Sequence, residues 1–245
     1  MAQTKIPEAG LEFMIGRDPQ AVLIIGGSAA LVRAVSHHGH RVTVACRSEK
    51  DLGAIPEIAG ITTVVAAAEN LPFHPCQFDT VLVHQTFHTL APGLVLSEIA
   101  RVLRPGGHVT ISYLVRDDTI PWVQKLAAIV QQLNPEAMRS FTEVESVDAL
   151  LTSKYFPATE NTDFRMWIDT TRTQLINMSV AATPDASEDE HELLREAVAD
   201  LYDKYATGIR NLRLPYSLQM WRGWVDHAEL TAPIEMDDSG LIIPV

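Results

Sequence analysis

The sequence has very little cysteine. Its 245 residues include only Cys46 and Cys76, and neither lies in a CxxC or Cys/His spacing. Two cysteines cannot form the disulfide framework of a small secreted domain, and they do not supply a zinc site. We therefore predict two buried thiols and no metal site. The histidine run around Gly39 is interpreted as a solvated turn that ends a helix.

Long apolar segments are also lacking. Glycine or charge interrupts every apolar run well before the ~18 residues that a transmembrane helix needs. The N-terminal stretch MAQTKIPEAGLEF has neither the basic start nor the apolar stretch of a signal peptide. These features predict a cytoplasmic protein with no membrane span.

Basic residues are scarce relative to acidic ones. Nineteen Lys and Arg stand against thirty-one Asp and Glu, which gives a formal net charge of −12. An acidic surface repels phosphate backbones and anionic lipids. Nucleic acid and membrane surfaces are therefore poor candidate partners. The partners we expect are a small molecule and, beyond it, a protein partner or a second copy of the chain in a homodimer.

Short apolar runs separated by helical periodicity dominate the first half of the chain. Ala21–Ile25 (AVLII) is wholly apolar and ends at Gly26-Gly27, which is typical of a strand buried on both faces. Further runs of this kind lie at Val42–Cys46, Thr62–Ala66, Thr80–Val83 and Val109–Tyr113. Alternating β and α units of this length predict an α/β fold with a doubly wound, mostly parallel sheet.

Capping and turn signals delimit the helices between these runs. Ser28 is a candidate N-cap, and a helix opening at Pro92 should turn Leu94, Leu96 and Ile99 inward. A turn is predicted at Arg104-Pro105-Gly106-Gly107, leading into the next strand. A further amphipathic helix is predicted over Pro121–Leu133.

The second half of the chain is organised differently. Helical spacing over Asp189–Tyr205 places Leu193 and Leu194 on one predicted inner face. Strands are predicted at Thr159–Trp167 and Asn211–Trp224, where Pro215 suits an edge or a bulge. No linker divides the chain. We therefore predict a single domain over 1–245, with a nucleotide-binding-type core at 1–135 and a C-terminal elaboration at 136–245.

Three ordered blocks resemble the class I S-adenosylmethionine-dependent methyltransferases, particularly their small-molecule branch. AVLIIGGSAAL at Ala21–Leu31 is similar to V-L-D-L-G-C-G-T-G, and VVAAAENLPFHPCQFDTVLVHQTFHTL at Val64–Leu90 is similar to V-V-A-D-A-E-x-L-P-F…F-D-x-V…L-H-H-L. LSEIARVLRPGGHVTIS at Leu96–Ser112 is the closest of the three. The resemblance implies a seven-stranded Rossmann-like sheet, with six parallel strands and a last antiparallel one.

The resemblance also implies a site for S-adenosylmethionine, from which this sequence departs. Gly26 and Gly27 keep the turn, whereas Ile24 replaces the acid of the first strand and Ser28 replaces a glycine. Ala45 matches the acid that binds the ribose hydroxyls, and Ala67 matches the acid that faces the adenine. The residues implied to contact the donor are Ile24, Gly26, Gly27, Ser28, Ala45, Cys46, Arg47, Ala67, Ala68, Glu69 and His84. Glu49 or Glu69 is the candidate to compensate for the missing acids.

Ligands of open parallel sheets bind at the carboxyl ends of the strands, which brings His84 and His88 to the same rim. An acceptor hydroxyl or amine must lose a proton during methyl transfer, and His84 and His88 are the candidate catalytic bases. Four aromatic residues are interpreted either as core or as the roof of an acceptor pocket: Trp167, Tyr202, Tyr216 and Trp221.

Three functions stay open at this point. The first is S-adenosylmethionine-dependent methyl transfer to a small-molecule or lipid-like acceptor. The second is a non-catalytic, methyltransferase-like protein that binds another ligand or a protein partner. The third is an NADP-binding enzyme, because Arg47 follows the second strand where arginine can bind a 2′-phosphate.

Overall fold

The computed structural model describes residues 6–55, 57–138, 144–208, 211–231, 236–237 and 240–241. The strands of its main sheet are β1 (Ala21–Gly26), β2 (Arg41–Cys46), β3 (Thr62–Val65), β4 (Phe78–His84), β5 (Leu103–Arg116), β6 (Ala158–Thr170) and β7 (Leu212–Trp224). The helices are α1 (Glu8–Ile15), α2 (Ala29–Ser36), α3 (Glu49–Leu52), α4 (Pro92–Val102), α5 (Pro121–Gln131), α6 (Val144–Leu151), α7 (Arg172–Ala181), α8 (Glu188–Tyr205) and α9 (Ala228–Thr231). A 3-10 turn covers Phe87–Thr89, and β8 (Met236–Asp237) pairs with β9 (Gly240–Leu241) in a separate antiparallel hairpin.

The main sheet has the order β3-β2-β1-β4-β5-β7-β6. The first five strands in this order are parallel neighbours, and β7 makes the β5-β7-β6 end antiparallel. The predicted fold class, a mostly parallel seven-stranded sheet with an antiparallel last strand, is confirmed. The two segments predicted as strands in the second half are β6 and β7.

Strand β1 lies in the middle of the parallel region because its side chains are apolar on both faces. Val22, Leu23 and Ile24 are completely buried. Ile25 pairs with Ala45 of β2 on one side and with Val83 of β4 on the other. A strand with no polar side chain can be covered on both faces without leaving a buried group unpaired, which explains why AVLII occupies this place.

The Arg-Pro-Gly-Gly segment is a bulge inside β5, where the sequence predicted a turn before the strand. Phe78 pairs with Leu103 and Thr80 pairs with His108, so the intervening residues of β5 are accommodated by a register shift. Gly106 has a φ of +79°, and a Cβ on Gly107 would lie 2.8 Å from the carbonyl oxygen of Asp79. Both glycines are therefore required by the backbone at this point.

Asp79 ties this bulge to the start of β1. Its Oδ1 accepts a hydrogen bond from Arg104 at 2.6 Å, and its Oδ2 accepts one from the backbone N–H of Ala21 at 2.8 Å. Burial acts to raise the pKa of the Asp79 carboxyl, but the Ala21 hydrogen bond and the Arg104 ion pair outweigh it and hold the pKa below its usual value. Asp79 and Arg104, which belong to two of the sequence blocks that resemble the methyltransferases, thus stabilise the sheet.

Two predicted helix faces need correction. Leu94 is 61% exposed, because α4 turns Val95, Leu96 and Ile99 to the core instead. Leu193 is 67% exposed, since the inner stripe of α8 runs through Leu194. In each helix two adjacent apolar residues could lie on the inner face, and packing determines which of the two is buried.

Two further predictions are wrong in part: one of the two thiols is not buried, and Pro215 is not on an edge strand, while the alternative of a bulge at Pro215 stays a prediction. Cys46 is buried as predicted, but Cys76 is exposed in a turn with a φ of +55°. Pro215 does not lie on an edge strand, because β7 lies between β5 and β6. Its carbonyl oxygen accepts a hydrogen bond from the N–H of Asp117, so the residue still contributes an acceptor, although it has no N–H to donate.

The chain divides into two compact units. The larger unit takes its residues from 11–112, 145–161 and 220–245, and the smaller from 1–10, 113–144 and 162–219. A single domain over 1–245 stays a prediction.

The larger unit has its core around β1, β2 and β4. Leu31, Val32 and Val35 of α2 and Val95, Leu96 and Ile99 of α4 are buried there.

The smaller unit has a core of its own made by α5, α7, α8 and β7. Its cluster of buried residues includes Val123, Leu126, Leu175, Val198 and Leu212. Capping boxes begin two of these helices, at Thr171 with Gln174 and at Ser187 with Glu190. Two of the helices that form this cluster therefore have first residues that are determined by their own capping boxes.

Candidate functional site

A cavity lies at the carboxyl ends of β1, β2 and β4 in the larger unit. The sheet order reverses between β1 and β4, and such switch points are where open parallel sheets bind ligands. The cavity has a volume of about 350 Å³, within the usual range of ~300–1,000 Å³ for small-molecule sites. Its lining residues are Ile25, Gly26, Gly27, Ala45, Cys46, Arg47, Asp51, Ala54, Ala66, Ala68, Glu69, Thr86, Thr89 and Leu90.

The turn after β1 forms one wall, and it depends on its two glycines. Gly26 and Gly27 have φ values of +67° and +89°, which L side chains rarely adopt. A Cβ on Gly27 would lie 2.8 Å from Cγ2 of Ile24, and one on Gly26 would lie 3.0 Å from Cγ2 of Thr86. Ser28 then caps α2 by accepting a hydrogen bond from the N–H of Leu31, as predicted.

The end of β2 forms the second wall and carries no acid. Ala45 and Cys46 both line the cavity and are buried. Arg47 also lines it, with an exposed side chain. Burial and then the nearby charge of Asp51 raise the pKa of the Cys46 thiol, so this thiol is held protonated.

The segment after β3 supplies a third wall. Ala66, Ala68 and Glu69 line the cavity, whereas Ala67 is exposed and does not. One oxygen of Glu69, Oε1, accepts a hydrogen bond of 3.3 Å from the backbone N–H of Ala91. Glu69 is therefore held at the rim by the start of α4.

The segment after β4 closes the cavity with a polar atom that lacks a partner. Gln85 has a φ of +63°, and the chain then turns so that Thr86, Thr89 and Leu90 line the cavity. The Oγ1 atom of Thr86 is buried, and within the described residues it has no hydrogen-bond partner. A buried hydroxyl left unpaired costs about 1–3 kcal/mol, and a rotation that brings Oγ1 into the cavity would let a polar group of a ligand relieve this cost.

The two candidate bases do not line this cavity. His84 is 7% exposed, and its Nδ1 lies 2.9 Å from Oγ of Ser112. Burial lowers the pKa of His84 to about 4, so the ring is neutral near pH 7. His88 is exposed in the 3-10 turn. The catalytic role of either histidine stays a prediction.

The smaller unit has a cavity of its own, with a volume of about 520 Å³. Four of its charged side chains form ion pairs with one another. Arg116 donates to both oxygens of Asp118, and Arg165 donates to Asp117 at 3.4 Å. Tyr216 also lines this cavity, and burial raises the pKa of its hydroxyl.

The other aromatic residues fall into two groups. Tyr202 and Trp221 are buried, as the core interpretation predicted. Trp167 is 44% exposed on β6, with the guanidinium of Arg213 at 5.8 Å from its ring centroid.

Seven of the predicted donor-site residues come together around the cavity of the larger unit: Gly26, Gly27, Ala45, Cys46, Arg47, Ala68 and Glu69. Ile24, Ser28, Ala67 and His84 lie outside its lining. The sequence interpretation missed the other seven lining residues: Ile25, Asp51, Ala54, Ala66, Thr86, Thr89 and Leu90. A signal for Asp51 was present, since Ser48-x-x-Asp51 has the spacing of a helix cap.

The described residues lack two further features. They contain no cluster of three His, Cys, Asp or Glu side chains placed to hold a metal ion, and His37 and His38 are exposed at the end of α2. No helix among them has the length and apolar character needed to span a bilayer.

The sheet order, the glycine turn and the cavity at the switch point define a class of protein, the Rossmann-like methyltransferase fold. Residues 24–111 match the family described as methyltransferase domain. This segment contains every lining residue of the larger unit's cavity.

Individual relatives agree with this assignment. An uncharacterized methyltransferase of Mycobacterium tuberculosis is 35% identical over 77 residues, which cover 31% of this chain and 30% of the relative. The phthiotriol/phenolphthiotriol dimycocerosates methyltransferase of the same organism is 32% identical over 126 residues, covering 48% of this chain and 47% of the relative. The chain thus spans less than half the length of these curated relatives.

A solved structure shows the same fold. A protein assigned as a type II methyltransferase from Anaeromyxobacter dehalogenans superposes with a TM-score of 0.64, at 17% identity, over 91% of this chain and 98% of its own. At this level of identity the likeness concerns the fold alone.

Proposed function

We propose that this protein binds S-adenosylmethionine in the cavity of the larger unit and transfers its methyl group to a small-molecule or lipid-like acceptor. One observation carries the proposal. The Gly26-Gly27 turn borders a cavity in which the buried hydroxyl of Thr86 lacks a partner, at the switch point of the sheet. A nucleotide with a polar amino-acid tail fits such a combination of open backbone and unpaired hydroxyl.

The lining residues suit the separate parts of this donor. The glycine turn leaves room for the methionyl part against backbone, and Ile25 and Leu90 supply apolar walls. Asp51 and Glu69 supply carboxylates for hydroxyl and amino groups. Ala66 and Ala68 border the remaining space with small side chains that leave room for a flat ring.

The charges of the lining favour a cationic nucleotide over a dinucleotide phosphate. The lining contains two carboxylates, those of Asp51 and Glu69, and one guanidinium, that of Arg47. A sulfonium is attracted by this balance, whereas the several phosphates of NADP are repelled by it. The NADP hypothesis therefore ranks below methyl transfer.

When bound, S-adenosylmethionine supplies an electrophilic methyl group, whose bond to sulfur breaks as a bond to an acceptor oxygen, nitrogen or carbon forms. The contribution of this chain is chiefly to hold both reactants in line and to exclude water. Asp51 and Glu69 are the ionisable acceptors for a proton among the lining residues. A carboxylate acceptor has no proton to lose and needs neither of them.

A lipid-like acceptor is supported by one relative. The phthiotriol methyltransferase, which is 32% identical over about half of each chain, is named for a lipid-like substrate. The apolar side chains of Ile25 and Leu90 in the lining agree with an acceptor that has an apolar part. A cytoplasmic location and a homodimer stay predictions from the sequence.

The test is isothermal titration of the protein with S-adenosylmethionine, S-adenosylhomocysteine and NADPH. We expect dissociation constants below ~1 mM for the first two and a weaker one for NADPH. No heat with either adenosyl ligand at millimolar concentration would overturn the proposal.

A second candidate, a non-catalytic methyltransferase-like protein that binds another ligand or a protein partner, is favoured by the absence of an acid at Ala45 and Cys46. Transfer of an isotopically labelled methyl group to a panel of lipid and small-molecule acceptors separates it from an enzyme.

A further inference from the structure

Asp51 lies at a position for which the resemblance implies no contact with the donor. It lies on α3, five positions beyond Cys46 at the end of β2, and its side chain lines the cavity. The position matched to the ribose-binding acid is Ala45, which lines the same cavity without any polar side-chain atom. A carboxylate has thus been lost from the strand, and another is present on the helix that follows it.

The side chain of Asp51 is oriented by Ser48. Oγ of Ser48 donates a hydrogen bond of 2.7 Å to Oδ2 of Asp51, and the backbone N–H of Asp51 donates one of 3.2 Å to the same Oγ. Oδ1 has no hydrogen-bond partner within the described part of the chain. One carboxylate oxygen is therefore fixed and the other is left for a ligand.

The exposed carboxylate of Asp51 lies close enough to the end of β2 to influence it. It acts on the Cys46 thiol, whose pKa it raises in addition to the effect of burial. Arg47, the cation in the same lining, forms no ion pair with Asp51 in the described structure. An unneutralised carboxylate is a strong acceptor for hydroxyl donors.

The other carboxylate of the cavity is less suited to this role. Oε1 of Glu69 accepts the N–H of Ala91, which ties Glu69 to the start of α4. Glu69 follows β3, whereas Asp51 follows β2, and in nucleotide-binding sheets the acid after the second strand is the one that binds ribose hydroxyls.

We propose that Asp51 replaces the acid lost from the end of β2 and accepts hydrogen bonds from the two ribose hydroxyls of the nucleotide. This inference rests on the proposed function, since it presumes that an adenosyl ligand occupies the cavity. Ser48 is then a positioning residue, because it holds the carboxylate without touching the ligand.

The experiment compares two ligands in three proteins by isothermal titration. The ligands are S-adenosylhomocysteine and its analogue that lacks the 2′ and 3′ hydroxyls. The proteins are the unmodified chain, Asp51→Asn and Glu49→Gln. Glu49 is the matched control, since it lies on the same helix, is exposed and does not line the cavity.

We expect the unmodified protein and Glu49→Gln to bind S-adenosylhomocysteine about tenfold more tightly than the analogue. Asp51→Asn should lose this preference by binding S-adenosylhomocysteine about tenfold more weakly, with the analogue unchanged. Asp51→Glu, which keeps the charge, should retain part of the preference. Circular dichroism and thermal melting establish that the variants are folded.

Each other outcome is decisive. An Asp51→Asn variant that binds both ligands as the unmodified protein does, or that weakens both equally, overturns the role of Asp51 and leaves the proposed function standing. Failure of the unmodified protein to bind either ligand at millimolar concentration overturns the proposed function, and the role of Asp51 with it.

Discussion

The ends of β1 and β2 meet the same cavity in different ways. After β1 the chain presents backbone, through Gly26 and Gly27 at positive φ, and any side chain there would meet Ile24 or Thr86. After β2 the resemblance implies a carboxylate, and this chain has Ala45 and Cys46 there, with Asp51 on the next helix. A backbone conformation that only glycine adopts easily needs a glycine at that position of the sequence. A requirement for a charge can be met from any element that reaches the same space.

The largest effect is expected from changing the β1 end. Gly27→Ala places a Cβ 2.8 Å from Ile24 at a φ of +89°, and we expect it to lower the free energy of unfolding by about 2 kcal/mol or more and to abolish ligand binding. Gly39→Ala is the matched control, because its φ is +78° with nothing within 4 Å of the added Cβ. It should cost about 1 kcal/mol. Urea unfolding measures both, and equal losses would show that the space at Gly27 is not critical.

The end of β4, next to β1, gives the expected pH dependence. The pKa of His84 is about 4 in the folded protein against 6.5 ordinarily, so the unfolded chain binds a proton that the folded one does not. This contribution to stability is complete above pH ~6.5 and is lost as the pH falls towards 4. His108, with a pKa also of about 4, acts in the same direction.

Between pH 7 and pH 4.5, the protonation of His84 in the unfolded chain should lower the free energy of unfolding by about 2 kcal/mol. His84→Gln should remove that part of the decline in a series of urea unfolding curves across this range. A variant with the same pH dependence as the unmodified protein would mean that His84 is not buried in the neutral form.

An intermediate effect is expected at Thr86, which faces the β1 turn. Thr86→Val removes the unpartnered Oγ1 and keeps the shape, so the stability of the free protein should not fall, while S-adenosylhomocysteine should bind about fivefold more weakly. Thr89→Val serves as the control, since its hydroxyl already donates to the carbonyl oxygen of Thr86. Titration calorimetry that finds equal affinities for both variants would remove Thr86 from the binding site.

The smallest effect is expected at the β2 end, from Arg47. Its side chain is exposed, so its charge is screened, and Arg47→Gln should tighten S-adenosylmethionine by no more than about threefold at low salt. Arg41→Gln, an exposed arginine at the other end of β2, should leave the affinity unchanged. Weaker binding by Arg47→Gln would indicate that Arg47 contacts an anionic part of the ligand.

The sequence predicted the parts of this molecule that local chemistry determines. Gly26-Gly27 and the apolar run before it marked β1 and its turn, and Ser28 marked the start of α2. The phase of α4 was not predictable at Leu94, because Leu94 and Val95 are both apolar and only packing chooses between them. Asp51 was missed for a similar reason: its side chain reaches the cavity through the placement of a four-residue helix.

The most direct test of the account is a crystal structure of the protein with S-adenosylhomocysteine. The account predicts the homocysteine part against Gly26 and Gly27, near Thr86, and the ribose hydroxyls within about 3.2 Å of the Asp51 carboxylate. A ribose that faces Ala45 and Cys46 through water alone, or a nucleotide bound outside this cavity, would contradict it.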